Sequence, residues 1–291
     1  MAATLVIFLR EGIEASMIVA ILFAYLDRIG QRRHFRDVLL GVGAALLLAT
    51  GGGVALYFTI RTYDGTRVQT VFETGTYLLA AVVLTYMTFW MRNHARTISA
   101  ELRARTDAAL AQDGLSRGAR RGLALLSFQA VGREGLETVI FTLAIVFSTS
   151  ASGALLGAAI GLVGALAIAF AIYRLGHQLN VGLFFKVLGA VLMVFAAGLL
   201  VDAVDNMQQL GWLPLLRHPL WDSSHVLSES SAVGDIVHSF FGYVARPNPL
   251  EIITWVVYAV LAVTAFLGLW SHRPGRPAEP SPELTRAGTP R

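Results

Sequence analysis

The sequence contains no cysteine and few charged residues. Of its 291 residues none is cysteine, 14% are charged and 55% are hydrophobic. Without cysteine the chain can form no disulfide, no thiolate metal site and no cysteine-bound iron–sulfur cluster. So small a share of charge beside so large an apolar share is typical of an integral membrane protein and not of a soluble domain.

Several functional signatures are missing as well. The apolar runs hold no nucleophile–base set, and the chain has neither a phosphate-binding glycine loop nor an ATPase domain. No Glu-x-x-His pair lies in a predicted helix, whereas a membrane-embedded di-iron enzyme would need one. The net charge is +4, but the basic residues are dispersed between apolar runs, so we expect no nucleic-acid partner. The N-terminus also lacks the basic segment and cleavage site of a signal peptide, and we expect the first apolar run to be retained.

Seven apolar runs reach about the 20 residues that a helix needs to cross a bilayer. They lie at about 3–26, 38–60, 70–91, 122–147, 153–173, 181–203 and 250–271. The sequence therefore predicts an all-α polytopic membrane protein with seven transmembrane helices in one domain, residues 1–271. The proline-rich segment 272–291 is predicted to be a disordered cytoplasmic tail.

The distribution of basic residues predicts the orientation. Seventeen of the 23 Lys and Arg residues lie in the connections after spans 1, 3 and 5, at the adjoining beginning of span 6, or in the tail. Basic residues accumulate on the cytoplasmic side of a membrane. We therefore predict an N-terminus outside, a C-terminus in the cytoplasm and an extracytoplasmic loop at 204–249.

One charged pattern occurs twice inside the apolar runs. Span 1 contains Arg10-Glu11-Gly12-Ile13-Glu14, and span 4 contains Arg133-Glu134-Gly135-Leu136-Glu137. Each charge costs roughly 3 kcal/mol in hydrocarbon. A cluster of charged residues that occurs twice in apolar runs therefore indicates a function. On a helix, residues three and four positions apart share a face, so the arginine of each motif can reach the second glutamate, and the two glutamates point to nearly the same side.

The two motifs predict one shared site. Spans 1 and 4 enter the membrane from opposite sides, so spans 1–3 and 4–6 form a predicted 3+3 inverted repeat, with span 7 added. The glutamates of both motifs fall near mid-membrane. We predict Glu11, Glu14, Glu134 and Glu137 as ligands of a hard cation, with Arg10 and Arg133 orienting the carboxylates.

Alternative interpretations stay open from the residues alone. Each motif could be a buried ion pair used for packing, although packing alone would not require a second glutamate. The glutamates could instead carry protons in a proton-coupled transporter of another cation or solute. A membrane-embedded metal enzyme is a weaker alternative, because the Glu-x-x-His pattern is missing.

Further acidic residues lie near the predicted outer face. Glu73 stands near the outer end of span 3, where it could line an access path or simply face water. Asp202 and Asp205 follow at the end of span 6, and Asp222 lies in the outer loop. Acidic groups raise the local concentration of cations, so these four are candidates for an access path.

The chain resembles the oxidase-dependent iron transporters, which include fungal high-affinity iron permeases and bacterial EfeU-type permeases. The paired R-E-x-x-E motifs carry the resemblance, together with Thr85–Arg92, Gly182–Lys186 and Phe241–Tyr243, and it covers residues 1–270. It implies an iron permease of the cytoplasmic membrane, not an enzyme, with iron passing inward through the motif glutamates. It also implies separate extracytoplasmic partners, a ferroxidase or peroxidase-type protein and an iron-binding protein. Iron is then the transported substrate, and we expect no permanently bound cofactor.

A charge count favours ferrous iron at this site. Four ionised glutamates and two arginines leave two negative charges, which a divalent ion would neutralise. A trivalent ion would leave one positive charge in a region of low dielectric constant, which is costly. A protonated glutamate, or a further carboxylate from Glu73, would change this count, so the residues alone leave both oxidation states open.

Overall fold

Helices make up nearly all of the regular structure. The computed structural model describes residues 1–94, 98–111, 116–148, 151–175, 181–228 and 231–267. Within these ranges there are nine α-helices and one 3₁₀ turn, and no strand. The helices are α1 (Ala2–Arg28), α2 (Phe35–Arg61), α3 (Arg67–His94), α4 (Ile98–Ala111), α5 (Ser116–Ser148), α6 (Ala151–Leu175), α7 (Val181–Gln209), α8 (Ala232–Phe241) and α9 (Pro249–Leu267).

Five helices in the described part of the chain are long and apolar enough to cross a membrane. The qualifying segments are Arg32–Arg61, Arg67–Met91, Ser152–Phe170, Val187–Gln209 and Pro249–Leu267. They belong to α2, α3, α6, α7 and α9. The two remaining predicted spans correspond to α1 and α5, whose apolar stretches are interrupted by the arginine and two glutamates of the motif. The all-helical prediction is confirmed.

Some helix ends differ from the predicted spans. α7 continues to Gln209, beyond the predicted end at 203, so Asp205 is helical and not in a loop. The long connection after α7 contains a further helix, α8, in the segment that hydropathy left as loop. α2 runs without a break through Gly51, Gly52 and Gly53, which could have interrupted it. The predicted tail, 272–291, lies outside the described residues.

The peripheral helices expose apolar side chains. Leu47 and Leu48 of α2 are 77% and 65% exposed, and Leu155 and Val163 of α6 are 72% and 67% exposed. Exposed aliphatic side chains in such numbers on helices with internally satisfied backbones fit a lipid-facing surface. α7 is the most enclosed of the five apolar helices and lies between α3, α8 and α9.

Two apolar clusters lie on either side of the motif residues. The first joins the beginning of α1 (Ile7) to the end of α5 (Phe141) and to α3, α6 and α7. The second joins the end of α1 (Leu22) to the beginning of α5 (Leu123), and to α2 and α4. α1 and α5 are therefore antiparallel, and their charged motifs lie between the two clusters.

Close helix contacts are made through glycine. α1 packs along α6, and α2 packs along α5. A Cβ atom added to Gly41 of α2 would lie 2.1 Å from the carbonyl oxygen of Ala124 in α5. A Cβ atom added to Gly157 of α6 would lie 2.1 Å from the carbonyl oxygen of Met1, the residue that precedes α1. Only glycine allows the backbones to approach this closely.

Candidate functional site: a buried carboxylate cluster

Arg10 of α1 is paired with both glutamates of its own motif. Its Nε donates to Glu14 Oε1 at 3.1 Å, and its Nη1 donates to Glu11 Oε1 at 3.0 Å. Arg10 is only 3% exposed, and both glutamates are buried as well. The spacing predicted the Arg10–Glu14 pair, since residues four positions apart face each other on a helix. The planar guanidinium thus fixes the orientation of two carboxylates at once.

Arg133 of α5 makes the same i,i+4 pair but has different neighbours. Its Nε donates to Glu137 Oε1 at 3.1 Å. Its Nη2 donates to Met87 Sδ at 2.6 Å, and its guanidinium carbon lies 4.4 Å from the centre of the Trp90 ring. The Arg133 side chain is 40% exposed, whereas Arg10 is enclosed. Met87 and Trp90 of α3 therefore hold Arg133 in position. The i,i+4 spacing within the motif predicts neither of these contacts.

Carboxylates from both motifs meet between α1 and α5. Glu11, Glu134 and Glu137 each offer one oxygen, and these atoms all lie within 4.8 Å of one another. All three residues are buried. Two oxygen ligands at about 2.1 Å from one small divalent ion lie at most about 4.2 Å apart, so a small side-chain movement would complete such a group.

One oxygen on each of these three glutamates is available. Oε2 of Glu11, of Glu134 and of Glu137 is buried and has no hydrogen-bond partner among the described residues. Buried polar atoms without partners are costly and therefore rare. The same three residues bring oxygens within 4.8 Å of one another, which indicates that another group, such as a cation, completes the cluster. Glu14 lies outside this group of three and is held by Arg10.

The motif glycines bring neighbouring helices against the charged residues. A Cβ atom added to Gly12 would lie 2.7 Å from Ala165 Cβ of α6. A Cβ atom added to Gly135 would lie 2.9 Å from Ala49 Cβ of α2. Each motif helix is thus pressed against one helix of the other predicted repeat.

The acidic residues at the beginning of α3 and at the end of α7 have different neighbours from the motif glutamates. Glu73 Oε1 accepts a hydrogen bond from Gln69 Nε2 at 2.8 Å, and the Tyr77 phenol interacts electrostatically with Glu73, Asp202 and Asp205. These three predicted path residues therefore lie around Tyr77, which belongs to the first apolar cluster. The cluster stands between them and the motif glutamates.

Asp222 belongs to the loop that follows α7. Hydrogen bonds from the Ser224 hydroxyl and backbone N–H, with a further contribution from Arg246, lower the pKa of Asp222 to about 2. Arg246 Nη2 lies 2.8 Å from Asp222 Oδ2. The carboxylate is thus ionised and engaged in a surface ion pair, apart from the other acidic residues.

Comparisons with known proteins identify a family. The profile of the family described as "Iron permease FTR1 family" matches residues 1–270. The chain belongs to the iron permease FTR1 family. No solved structure matches it. The family match and the apolar helices together identify a multi-pass membrane protein.

Curated relatives cover almost the whole chain. A protein named "Ferrous iron permease EfeU" from Escherichia coli O6:K15:H31 (strain 536 / UPEC) is 35% identical over 263 residues, which is 90% of this chain and 93% of the relative. The protein of that name from Shigella sonnei (strain Ss046) is 35% identical over 262 residues, covering 89% and 93%. The one from Yersinia pestis is 33% identical over 260 residues, covering 89% and 91%.

Proposed function

We propose that this chain is an iron permease that moves iron inward across the cytoplasmic membrane through the cluster formed by the two R-E-x-x-E motifs. The observation that carries the proposal is the meeting of Glu11, Glu134 and Glu137, each with one buried oxygen lacking a partner among the described residues. Carboxylate oxygens suit a hard cation. Membership of a family of iron permeases supports iron as that cation.

Within this proposal the four glutamates have two kinds of role. Glu11, Glu134 and Glu137 are the first ligands, because their oxygens already lie close together. Glu14 joins when the ion moves, or holds Arg10 in position. Arg10 and Arg133 orient the carboxylates and limit the negative charge of the cluster.

The proposed architecture has seven spans, of which the first six form an inverted repeat. The reciprocal contacts support it: Gly41 of α2 meets Ala124 of α5, and Gly157 of α6 meets Met1 at the N-terminal end of α1. Residues 1 and 124 are separated by the same number of positions as Arg10 and Arg133, so they are equivalent positions in the two motif helices. The contact of Gly12 with Ala165 joins α1 to α6, and the contact of Gly135 with Ala49 joins α5 to α2 in the same reciprocal way. Such repeats place the substrate near mid-membrane at their interface.

The proposed orientation puts α4 and the connection between α1 and α2 in the cytoplasm. The bias of basic residues supports it. The same orientation places Glu73, Asp202, Asp205 and Asp222 on the outer side, where they form the access path. Iron reaches them from separate extracytoplasmic proteins, a ferroxidase or peroxidase-type protein and an iron-binding protein. The domain covers residues 1–271 in this proposal, and 272–291 is a cytoplasmic tail.

We propose ferrous iron as the cargo and transport without enzymatic chemistry. The charge count of the two motifs supports a divalent ion, and the curated relatives are named ferrous iron permeases. Uptake of radioactive iron by proteoliposomes tests this directly. Fe²⁺ kept reduced should accumulate faster than chelated Fe³⁺ at equal free concentration. Uptake of neither form, with transport of another solute driven by a proton gradient, would favour the proton-coupled alternative.

A further inference from the structure

One hydroxyl group inside the first apolar cluster is buried without a hydrogen bond. Thr4 of α1 is 0% exposed, and its Oγ1 has no hydrogen-bond partner among the described residues. Ala3 and Ile7, which lie beside it on the helix, both belong to the first apolar cluster. An unpaired hydroxyl group in apolar surroundings is costly, and valine would fill the same space without that cost. Packing alone therefore gives no reason for a threonine at this position.

The other buried threonines in the described part of the chain are all satisfied. Each of the three donates from its hydroxyl group to the carbonyl oxygen four positions earlier, which is a common arrangement for a threonine within a helix. These bonds run from Thr74 to Thr70 at 2.6 Å, from Thr88 to Leu84 at 2.7 Å and from Thr106 to Leu102 at 2.7 Å. Thr4 lies in the first turn of α1, where the helix has no carbonyl four positions earlier. This arrangement is thus not available to Thr4.

Thr4 lies on the same face of α1 as the motif glutamate Glu11. The two residues are seven positions apart, which on a helix is about 20° short of two full turns and about 10 Å along the axis. The first apolar cluster separates Glu11 from Glu73 and Asp202, which lie around Tyr77. The Thr4 hydroxyl group is therefore a polar group within the apolar layer that an ion must cross between these acidic residues and Glu11.

The second motif helix carries a hydroxyl group at the equivalent position. Ser127 of α5 precedes Glu134 by seven positions, as Thr4 precedes Glu11. Ser127 is also 0% exposed, and the residues beside it on the helix belong to the second apolar cluster. Its Oγ donates to backbone carbonyl oxygens, so packing accounts for Ser127 but not for Thr4. Each of the two apolar layers thus contains one fully buried hydroxyl group on the face of a motif glutamate.

We propose that Thr4 lines the path of the ion through the first apolar cluster, where its hydroxyl group contacts the partly hydrated Fe²⁺ on its way to Glu11. A hydroxyl oxygen can bind a cation directly, and the group can also donate to and accept from the water molecules that the ion carries. Because it is uncharged, it can stabilise the passing ion without retaining it as a carboxylate would. This inference rests on the proposed function and adds a residue outside the two motifs.

Uptake of Fe²⁺ by proteoliposomes containing the Thr4→Val protein tests this proposal, because valine keeps the shape and removes the hydroxyl group. A contact made only during passage changes the rate and not the bound state. We expect the initial rate to fall about tenfold, as for the loss of one hydrogen-bonding contact, while equilibrium binding of Fe²⁺ to the purified protein is unchanged. The midpoint of thermal unfolding should stay the same or rise, because an unpaired hydroxyl group is removed. Thr4→Ser keeps the hydroxyl group and should retain most of the uptake.

Thr106→Val in α4 is the matched control. Thr106 is equally buried, but its hydroxyl group is bonded to Leu102 and it lies outside the motif helices, so uptake should be unchanged. Uptake by Thr4→Val at the wild-type rate, or equal loss in Thr4→Val and Thr4→Ser, would overturn the proposal. A lower unfolding midpoint together with lower uptake in Thr4→Val would also overturn it, because Thr4 would then be a packing residue. Uptake by the wild-type protein is measured in parallel, so failure of this inference leaves the proposed permease function standing.

Discussion

Arg10 and Arg133 occupy the same position in two copies of one motif, yet they are held differently. Arg10 is enclosed and uses two nitrogens on two carboxylates. Arg133 uses one nitrogen on Glu137 and rests against Met87 and Trp90 of α3. In both cases the planar fork determines where a carboxylate points, so the arginines act through geometry as well as through charge.

Replacement of each arginine by lysine separates these two effects. Lysine keeps the charge but cannot donate from two fixed positions. Each hydrogen bond to a charged group contributes about 1.5–3 kcal/mol, so Arg10→Lys or Arg133→Lys should lower iron uptake roughly ten- to hundredfold. The initial rate of uptake, at equal protein level, measures the effect. If the double Arg10→Lys/Arg133→Lys protein transports near normally while Arg→Ala fails, charge alone is sufficient.

Substitution of Trp90 tests how much α3 contributes to the position of Arg133. Trp90→Leu removes the ring beneath Arg133, and cation–π contacts contribute about 0.5–2 kcal/mol. We expect Trp90→Leu to reduce uptake about two- to thirtyfold, and Trp90→Phe to retain most of it because a ring remains. Equal loss in both variants would show that the volume of the indole, and not its ring face, supports Arg133.

At the scale of the helices, glycine contacts position the motifs. Gly41 lies against the backbone of α5, so that α2 and α5 remain in close contact over the length that carries Glu134 and Glu137. A Cβ atom there would also lie 2.2 Å from Ser127 Oγ. Ser127 is itself buried and donates to the Val38 carbonyl of α2 at 3.1 Å, which leaves little freedom to move.

Gly41→Ala should therefore destabilise the protein despite the higher helix propensity of alanine. Overpacking of this kind costs about 1–3 kcal/mol. Gly43, one half-turn away with nothing within 4 Å of an added Cβ, is the matched control, and Gly43→Ala should be neutral or stabilising by up to about 1 kcal/mol. Thermal unfolding in detergent measures both variants. A Gly41→Ala protein as stable as Gly43→Ala would mean that α2 and α5 are not closely packed there.

Helical periodicity was sufficient to predict some of this site and insufficient for the rest. The Arg10–Glu14 and Arg133–Glu137 pairs follow from i,i+4 spacing within one helix. The contacts of Arg133 with Met87 and Trp90 depend on packing between distant helices. No local pattern encodes them. The extension of α7 to Gln209 was missed because Asp202 and Asp205 lower hydropathy without interrupting the helix.

At the scale of the whole molecule, the charged layer is enclosed by apolar side chains on both sides. The first cluster separates it from Glu73, Asp202 and Asp205, and the second separates it from the end that carries α4. Under the proposed function, inward movement of an ion requires both clusters to open. The antiparallel arrangement of α1 and α5 provides equivalent elements on the two sides for such a motion.

The proposed orientation leads to a test by reporter fusion. A reporter fused after Trp270 should be active only if it is one that works in the cytoplasm, because most basic residues lie on that side. A reporter inserted in the loop between α7 and α8 should show the opposite pattern. Periplasmic activity of the fusion after Trp270 would mean that the orientation is reversed or that the number of spans is not seven.

Iron uptake by proteoliposomes containing either the wild-type protein or the Glu134→Gln/Glu137→Gln variant tests the central claim most directly. Glutamine keeps the size of each side chain and removes the charge and one ligand oxygen. The account predicts time-dependent uptake of Fe²⁺ by the wild-type protein. It predicts nearly complete loss of uptake in the variant, which should insert and purify in equal amount. Uptake by the variant at the wild-type rate would contradict the account.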